Sequence, residues 1–126
     1  MQKLSEEERD CFICRKHRGE IAVAGGAIYE DNLVYAGHIY SPEEPVYLGY
    51  IMAELKRHTP DLAEQTDEEA QALGLLIARL SRALKQSEQA EHIYALVSGH
   101  GVQHLHMHLI PRYPGENDPN DPVSRP

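Results

Sequence analysis

The chain has 126 residues, of which 41% are hydrophobic and 25% are charged, and its formal net charge is −8. This length fits one domain, and no apolar run approaches the roughly 18 residues that cross a bilayer, so we expect a single soluble, globular unit without a membrane partner. The negative charge argues against binding of polymeric nucleic acid, because phosphate backbones are held by basic surfaces. Any ligand that carries phosphate must therefore be bound by local groups at one site and not by an extended basic surface.

The first residues predict a short helix and a cytoplasmic protein. Ser5 and the three glutamates that follow it are typical of a helix N-cap with an acidic first turn, so a brief helix is expected to run into Cys11. The opening segment is acidic, unlike a secretion signal. In a cytoplasmic chain the CxxC pair of Cys11 and Cys14 favours a metal site or a redox pair over a structural disulfide. A pair of reduced thiols without a ligand is the simpler alternative.

Three short strands are predicted in the next part of the chain. Gly25 and Gly26 precede two runs of strand-forming residues, 27–29 and 33–36, which predict a strand pair. A loop with two prolines then leads to a third predicted strand at 50–55.

The clearest element is a long amphipathic helix from residue 67 to about 87. Thr66 and Glu69 form a capping-box pattern ahead of it. Apolar residues then recur at spacings of three and four, which predicts that one helix face packs on a sheet. Gly74 lies inside the helix, where it is tolerable, and could mark a point of close packing against the sheet.

The last third of the chain predicts a hairpin and a tail. Strand-forming residues at 92–97 and 102–110 flank a glycine-containing turn, which indicates a carboxy-terminal hairpin. The proline-rich stretch 114–126 predicts an irregular tail, so the folded domain is expected to span 1–113. Together the elements indicate an α+β domain with an antiparallel sheet of about five strands, one long helix and a short N-terminal helix.

Three histidines, His104, His106 and His108, alternate along the last predicted strand. In an extended strand they share one face, each about 6.6 Å from the next, and the apolar residues between them face the other side. Such a row can bind metal, relay protons or present one neutral imidazole nitrogen as a nucleophile. A solvated strand face is the simplest alternative, and a cluster that only binds metal competes more strongly, because alternating histidines commonly ligate zinc.

The run HLHMHLIPR resembles the signature of the histidine-triad (HIT) family. Three earlier stretches resemble the same family in the same order, namely CFICRKHRGE, YEDNLVYAG and KRHTPDLAEQTDEEAQALG, so the resemblance covers roughly positions 11 to 113. It implies a HIT-like fold, a homodimer, and hydrolysis or transfer at the alpha-phosphate of a nucleotide, a dinucleoside polyphosphate or a nucleoside phosphoramidate.

The resemblance also implies a role for individual residues. His106 would attack the alpha-phosphate and form a covalent phosphohistidine. His108 would hydrogen-bond the phosphate oxygens and stabilise the charge that develops there. Backbone amides around Gly99, Gly101 and Val102 would bind the same phosphate, although a bare hairpin turn requires glycine too.

A structural zinc ion is implied as well. Some members of the family bind zinc with two cysteines and two histidines, and the matching positions here are Cys11, Cys14, His58 and His104. His17, close to Cys14 in the sequence, is a rival for His58. A closed tetrahedral site of this kind would tie the amino-terminal segment to the histidine strand.

Three positions depart from the pattern of the family. The aspartate that grips the ribose hydroxyls is absent, and either His38 replaces it or the ribose is held differently. Gly101 stands where many relatives have a serine that contacts the leaving group, and an asparagine of the preceding strand is missing. Two alternatives to the enzyme therefore stay open: a zinc-stabilised nucleotide-binding or sensing module with little turnover, and a metalloenzyme whose histidine row holds a catalytic ion.

Overall fold

A computed structural model describes residues 4–97 and 101–115, and the greater part of the predicted tail, 116–126, lies outside these residues. The helices and strands confirm the predicted α+β class with five strands, one long helix and a short N-terminal helical segment. In chain order the elements are α1 (Glu6–Asp10), α2 (Phe12–His17), β1 (Tyr29–Glu30), β2 (Val34–His38), β3 (Ile51–Leu55), a 3-10 helix (Leu62–Glu64), α3 (Asp67–Glu88), β4 (His92–Leu96) and β5 (His106–Arg112).

The five strands form one antiparallel sheet in the order β1-β2-β3-β5-β4. The two predicted pairings are confirmed, since β1 pairs with β2 and β4 pairs with β5. Strand β5, the last in the described part of the chain, inserts between β3 and β4. It is therefore hydrogen-bonded on both sides, which makes β5 a rigid support for the side chains that it carries.

The predicted start of the last strand, residue 102, is wrong, because β5 begins only at His106. Just before it, the amide of Leu105 donates to the carbonyl of Thr59 at 2.7 Å, and the carbonyl of Leu105 accepts from the amide of Leu55 at 3.4 Å. These bonds hold the chain in a bend beside the end of β3. His104 therefore lies outside the strand, and the three histidines do not form one continuous strand row.

Helix α3 covers one face of the sheet. It starts at the predicted capping box, in which Thr66 Oγ1 accepts from the Glu69 amide at 3.1 Å and Glu69 Oε1 accepts from the Thr66 amide at 2.9 Å. Burying each leucine of its apolar face contributes about 1.5 to 3 kcal/mol. The core consists mainly of these leucines and of alternate sheet residues, among them Leu73, Leu76, Leu80, Leu84, Val34, Ile51, Leu55 and Leu109. No helix within residues 4–97 and 101–115 has the length and apolar character needed to cross a membrane.

Two glycines of this framework differ in their surroundings. Gly74 is exposed on α3, and a Cβ there would meet no atom within 4 Å, so the predicted close packing against the sheet is wrong. Gly49 lies shortly before β3 with a φ of +82°. A Cβ at Gly49 would lie 2.6 Å from Tyr113 Oη and 2.9 Å from Pro111 Cγ. Gly49 is therefore required both by its backbone conformation and by the space around it.

We expect Gly49→Ala to lower the free energy of unfolding by about 2 kcal/mol or more, because the methyl group strains a left-handed backbone and collides with its neighbours. The matched change Gly74→Ala should raise it by up to about 1 kcal/mol, because alanine is the better helix former. Urea titrations of the two variants would measure both values. Equal effects of the two substitutions would contradict this account.

Ion pairs between α2 and a buried carboxylate of β3 hold α2 on the face of the sheet opposite α3. The carboxylate of Glu54, 1% exposed, accepts from Lys16 Nζ at 2.6 Å and from His17 Nε2 at 2.8 Å. Burial acts to raise the pKa of Glu54, but the hydrogen bond from His17 and the charge of Lys16 outweigh it, so the pKa lies below its usual value. The ionised carboxylate thereby holds the amino-terminal segment against the sheet.

Glu54→Gln should lower the free energy of unfolding at pH 7 by about 3 kcal/mol, because it leaves the nearly buried Lys16 ammonium without its counter-charge. The pKa of Glu54 is depressed on folding, so its contribution is complete above the usual value of 4.5 and disappears as the pH falls through the lower pKa of the folded state. The difference from wild type should therefore shrink in denaturant titrations below that pH.

A control is Glu30→Gln, which removes an exposed carboxylate paired with Lys56. Its effect should stay below about 1 kcal/mol at both pH values. A Glu54→Gln effect as small as that of the control would show that the buried pair does not stabilise the fold.

Candidate active site and metal centre

Four predicted ligands come together at one end of the sheet. Cys11 lies between the two short helices, Cys14 belongs to α2, His58 follows β3 and His104 precedes β5. Their ligand atoms all lie within 4.8 Å of one another. Cys11 Sγ lies 3.5 Å from His104 Nδ1, Cys14 Sγ lies 3.4 Å from both imidazole Nδ1 atoms, and these two nitrogens are 3.3 Å apart. The two cysteines are free thiols.

These separations fit a tetrahedral metal ion. Bonds of about 2.3 Å to sulfur and about 2.0 Å to nitrogen place the ligand atoms of such an ion roughly 3.3 to 3.8 Å apart. His104 Nε2 donates to the carbonyl of Leu55 at 2.6 Å, so Nδ1 carries the lone pair that faces the other ligands. Two cysteines and two histidines also complete the coordination. The four residues therefore form a site that could hold a metal ion with no position open to substrate.

The pKa shifts of two of these four residues also fit a metal site. Burial lowers the pKa of His104 to about 4, which keeps this imidazole in the neutral form that ligates metals. Burial, together with the neighbouring Cys11, raises the pKa of the Cys14 thiol to about 12. A thiolate in this position needs a nearby positive charge, which a bound cation supplies.

His17, the rival ligand, does not join this group. Its Nε2 is bonded to Glu54, and its ring lies edge-on to that of His104 with centroids 5.7 Å apart. The geometry therefore favours His58 over His17 as the fourth ligand. Within residues 4–97 and 101–115, the cysteine and histidine group is the only cluster suited to a metal ion, and neither His106 nor His108 belongs to it. This observation disfavours a catalytic ion held by the histidine row.

His106 and His108 lie on the sheet face opposite α3. They pair across the sheet with Glu54 and Met52 of β3, and cross-strand partners share a face. His106, 7% exposed, donates from Nδ1 to the carbonyl of His104 at 2.7 Å. Because a carbonyl can only accept, the proton of a neutral His106 is fixed on Nδ1 and the lone pair on Nε2. This is the tautomer that a nitrogen nucleophile requires.

His108 is held by a tyrosine that the sequence analysis missed. Its Nδ1 lies 2.7 Å from the hydroxyl of Tyr50, and its ring centroid lies 5.2 Å from that of His106. Burial raises the pKa of Tyr50, and burial and the charge of His106 lower the pKa of His108. A protonated Tyr50 can therefore donate to a neutral His108 and leave Nε2–H as a donor. The only signal in the sequence is the alternation that places Tyr50 on the same face as Glu54.

A cleft of about 610 Å³ lies on this face and includes both histidines in its lining. Its charged or imidazole side chains, besides His106 and His108, are those of Lys16, His38 and Glu54, and the hydroxyls of Tyr35, Tyr40 and Tyr50 line it as well. The remaining walls are mostly apolar and include Phe12, Ile21, Val23, Ile39, Tyr40 and Met52. The cleft can therefore take a molecule with a bulky apolar part and bring one reactive atom to the two histidines.

Of the three residues predicted to bind phosphate through their backbone amides, the structure describes two. Val102 lines the cleft. Gly101 is exposed with a φ of +81° and does not line it. Gly99 lies outside the residues that the structure describes.

His38 does not replace the missing ribose-binding aspartate. Its Nδ1 donates to the carbonyl of Ile39 at 2.9 Å, and its Nε2 accepts from the amide of Gly49 at 2.8 Å. Both ring nitrogens are therefore used by the backbone, and none remains for a sugar hydroxyl. Of the two alternatives from the sequence, the replacement of the aspartate by His38 therefore does not fit the geometry.

Comparison with known proteins places these features in a family. The chain matches the family model of the HIT domain over residues 22–115. Purine nucleoside phosphoramidase from Escherichia coli (strain K12) is 33% identical over 89 residues, which are 66% of this chain and 72% of that protein.

Solved structures share the fold. The crystal structure of a member of the HIT family from Bacillus subtilis has a TM-score of 0.72 at 29% identity, over 84% of this chain and 75% of that one. A Zn-bound histidine triad family protein from Mycobacterium smegmatis has a TM-score of 0.72 at 22% identity, over 90% of this chain and 86% of that one. Since the family model spans well over half of the sequence and the fold agrees, the chain belongs to the HIT, or histidine triad, family.

Proposed function

We propose that this protein hydrolyses or transfers nucleotidyl groups at the alpha-phosphate of a nucleotide, a dinucleoside polyphosphate or a nucleoside phosphoramidate, with His106 as the nucleophile. The observation that carries the proposal is the hydrogen bond from His106 Nδ1 to the carbonyl of His104, which leaves a lone pair on Nε2 at the cleft. The likeness to a purine nucleoside phosphoramidase supports the substrate class.

The proposed reaction has two displacements at phosphorus. His106 Nε2 forms a bond to phosphorus as the bond to the leaving group breaks, and the leaving group departs with the electron pair and takes a proton from solvent. Water then attacks the phosphohistidine, the phosphorus–nitrogen bond breaks, and the electron pair returns to Nε2 while the water releases its proton. His108 donates to a phosphate oxygen in both steps and stabilises the developing charge.

A nucleotide-binding or sensing module with little turnover is the second candidate. One observation favours it: Gly101 offers no side chain to contact a leaving group, where the resemblance leads us to expect serine. The enzyme is nevertheless the better proposal, because the nucleophile has the required tautomer and a hydrogen-bond donor beside it.

His106→Ala should reduce the hydrolysis of adenosine 5′-phosphoramidate and of a dinucleoside polyphosphate by at least about a thousandfold, because the attacking atom is lost. Initial rates, and mass spectrometry of acid-quenched wild type for phosphohistidine, would measure this. His92→Ala, which removes an exposed histidine from the edge strand β4, is the matched control and should retain full activity. Equal rates for wild type and His106→Ala would show that the mechanism is wrong, and wild-type binding without turnover would favour the sensing module.

We also propose that Cys11, Cys14, His58 and His104 hold a structural zinc ion. The donor set and its spacing support this assignment, and a zinc-bound family member has the same fold. Because four protein ligands fill a tetrahedral site, the ion would cross-link the chain and take no part in the chemistry. Its effect on the active site would be indirect, since His104 also accepts the hydrogen bond of His106.

Purified protein should contain about one zinc ion per chain, and His58→Ala should lose most of it along with several kcal/mol of stability. His17→Gln should keep the metal, because His17 lies outside the cluster. Elemental analysis and thermal unfolding would test both variants. Zinc lost from His17→Gln and kept by His58→Ala would reverse the assignment, and turnover abolished by a mild chelator in a folded protein would favour a catalytic metal.

We propose further that the protein is a cytoplasmic homodimer that acts on small nucleotide conjugates and binds neither polymeric nucleic acid nor membranes. Free cysteines suit a reducing compartment, and the net charge of −8 disfavours nucleic-acid polymers. Strand β4 lies at an edge of the sheet and exposes Leu96, which offers a second copy a surface on which to pack.

A further inference from the structure

We infer that the hydroxyl of Tyr35, with the ammonium of Lys16 beside it, hydrogen-bonds acceptor atoms on the base of the bound nucleotide, which makes Tyr35 a specificity-determining residue. The inference rests on the proposed function and specifies its substrate class. It starts from a hydroxyl that lies in the wall of the cleft and has no hydrogen-bond partner in the part of the chain that the structure describes.

The Tyr35 hydroxyl is the unusual polar group of the cleft. Tyr35 belongs to β2 and lines the cleft, yet the residue is only 7% exposed. A phenol so enclosed ordinarily has a partner, because an unpaired polar group has given up its hydrogen bonds to water. Tyr40, which also lines the cleft, is 51% exposed, so water can serve its hydroxyl. Tyr35 therefore needs the partner that a bound ligand would supply.

Gly37 makes room for this side chain on the face that carries the cleft. A Cβ at Gly37 would lie 3.3 Å from Tyr35 Cε1 and 3.6 Å from Tyr35 Oη. The ring of Tyr35 thus lies along its own strand, and its hydroxyl lies beside Gly37, which lines the cleft as well. The missing side chain at position 37 leaves the hydroxyl open to a ligand.

Lys16 places a second donor next to this hydroxyl. Its Nζ lies over the Tyr35 ring, 4.9 Å from the centroid, and donates to Glu54 Oε2 at 2.6 Å. An ammonium has three N–H groups and no acceptor, so two are left for other partners. Burial and the charge of Glu54 raise the pKa of Tyr35, which keeps its hydroxyl protonated and able to donate. This part of the cleft therefore favours a ligand group that accepts hydrogen bonds.

The distance from the reactive histidine indicates which part of a nucleotide the two donors meet. Across the sheet Tyr35 pairs with Glu54 and Glu54 pairs with His106, so Tyr35 is two strands away from the proposed nucleophile. Two strand spacings amount to about 10 Å. The ribose is attached directly to the phosphate and would lie over β3, whereas the base extends to β2. Guanine, with its N7 and O6 acceptors side by side, has the edge that suits two donors.

The test compares two 5′-phosphoramidates as substrates of the full chain: that of guanosine, and that of a riboside with an apolar naphthyl group in place of the base. Tyr35→Phe should lower kcat/KM for guanosine by about three- to tenfold, mainly through KM, because one neutral hydrogen bond is lost. It should change the value for the naphthyl riboside by less than about twofold. An unchanged value for guanosine overturns the inference, and so does an equal loss for both compounds, which would place the hydroxyl at the sugar or the phosphate.

Two further measurements use the same proteins. Wild type should turn over guanosine 5′-phosphoramidate at least as well as the adenosine compound, because adenine has an amino donor where guanine has O6. A preference for adenosine overturns the inference. Tyr35→Phe should also keep the midpoint of urea unfolding of wild type, because its hydroxyl has no partner within residues 4–97 and 101–115. A lower midpoint would show a structural role for the hydroxyl and overturn the inference too.

Tyr29→Phe is the matched control. It removes a hydroxyl that donates to Asp31 at 2.7 Å, and Tyr29 does not line the cleft. Its kinetic constants for both compounds should equal those of wild type.

Binding measurements separate this inference from the proposed function. If wild type turns over none of these compounds, the proposed function fails. Calorimetric titration of wild type and Tyr35→Phe with guanosine 5′-monophosphate then tests the inference alone. Binding that is about three- to tenfold weaker in the variant supports it, whereas equal affinities, or no binding to wild type, overturn it.

Discussion

The hydrogen bond from His106 to the carbonyl of His104 links the chemistry of the site to the framework of the protein. His104 is fixed on three sides: its Nδ1 faces the two thiols, its Nε2 donates to the carbonyl of Leu55, and its own carbonyl accepts from His106. The tautomer of His106 therefore depends on where the backbone of His104 lies. Because that backbone is held by the ligand cluster and by the end of β3, a displacement of the cluster would also displace the carbonyl that accepts the hydrogen bond of His106 Nδ1.

The amino-terminal segment shows why both the cluster and the buried ion pair are needed. Helices α1 and α2 have 5 and 6 residues, and helices this short are not stable alone in water. Two cysteines attach them to the cluster, and Glu54 attaches α2 to β3. The same segment supplies Phe12 to the wall of the cleft. The residues that could bind a metal ion thus also complete the surface that would meet the substrate.

Local signals in the sequence predicted most of the elements, although not α2, and contacts distant in sequence decided the details. The capping box at Thr66 and the spacing of the leucines involve only residues close together in the sequence. For this reason α3 was predicted almost residue by residue. The four candidate metal ligands followed from the family resemblance. The start of β5 could not be predicted, because it depends on the bond between Leu105 and Thr59. Tyr50 and Glu54 were missed because their roles depend on partners in β5 and α2, although one acidic residue inside an apolar strand is a sign of a buried charge.

His38 shows how recognition and chemistry are divided in this cleft. It stands where the family resemblance led us to expect a group that grips the sugar, yet its ring joins Ile39 to Gly49. Gly49 is tightly enclosed, and the next residue in the chain is Tyr50, whose hydroxyl holds His108. By fixing the amide of Gly49, His38 helps to place the tyrosine that orients His108. A position that the family resemblance assigns to the sugar end of a ligand therefore supports the tyrosine beside His108 instead.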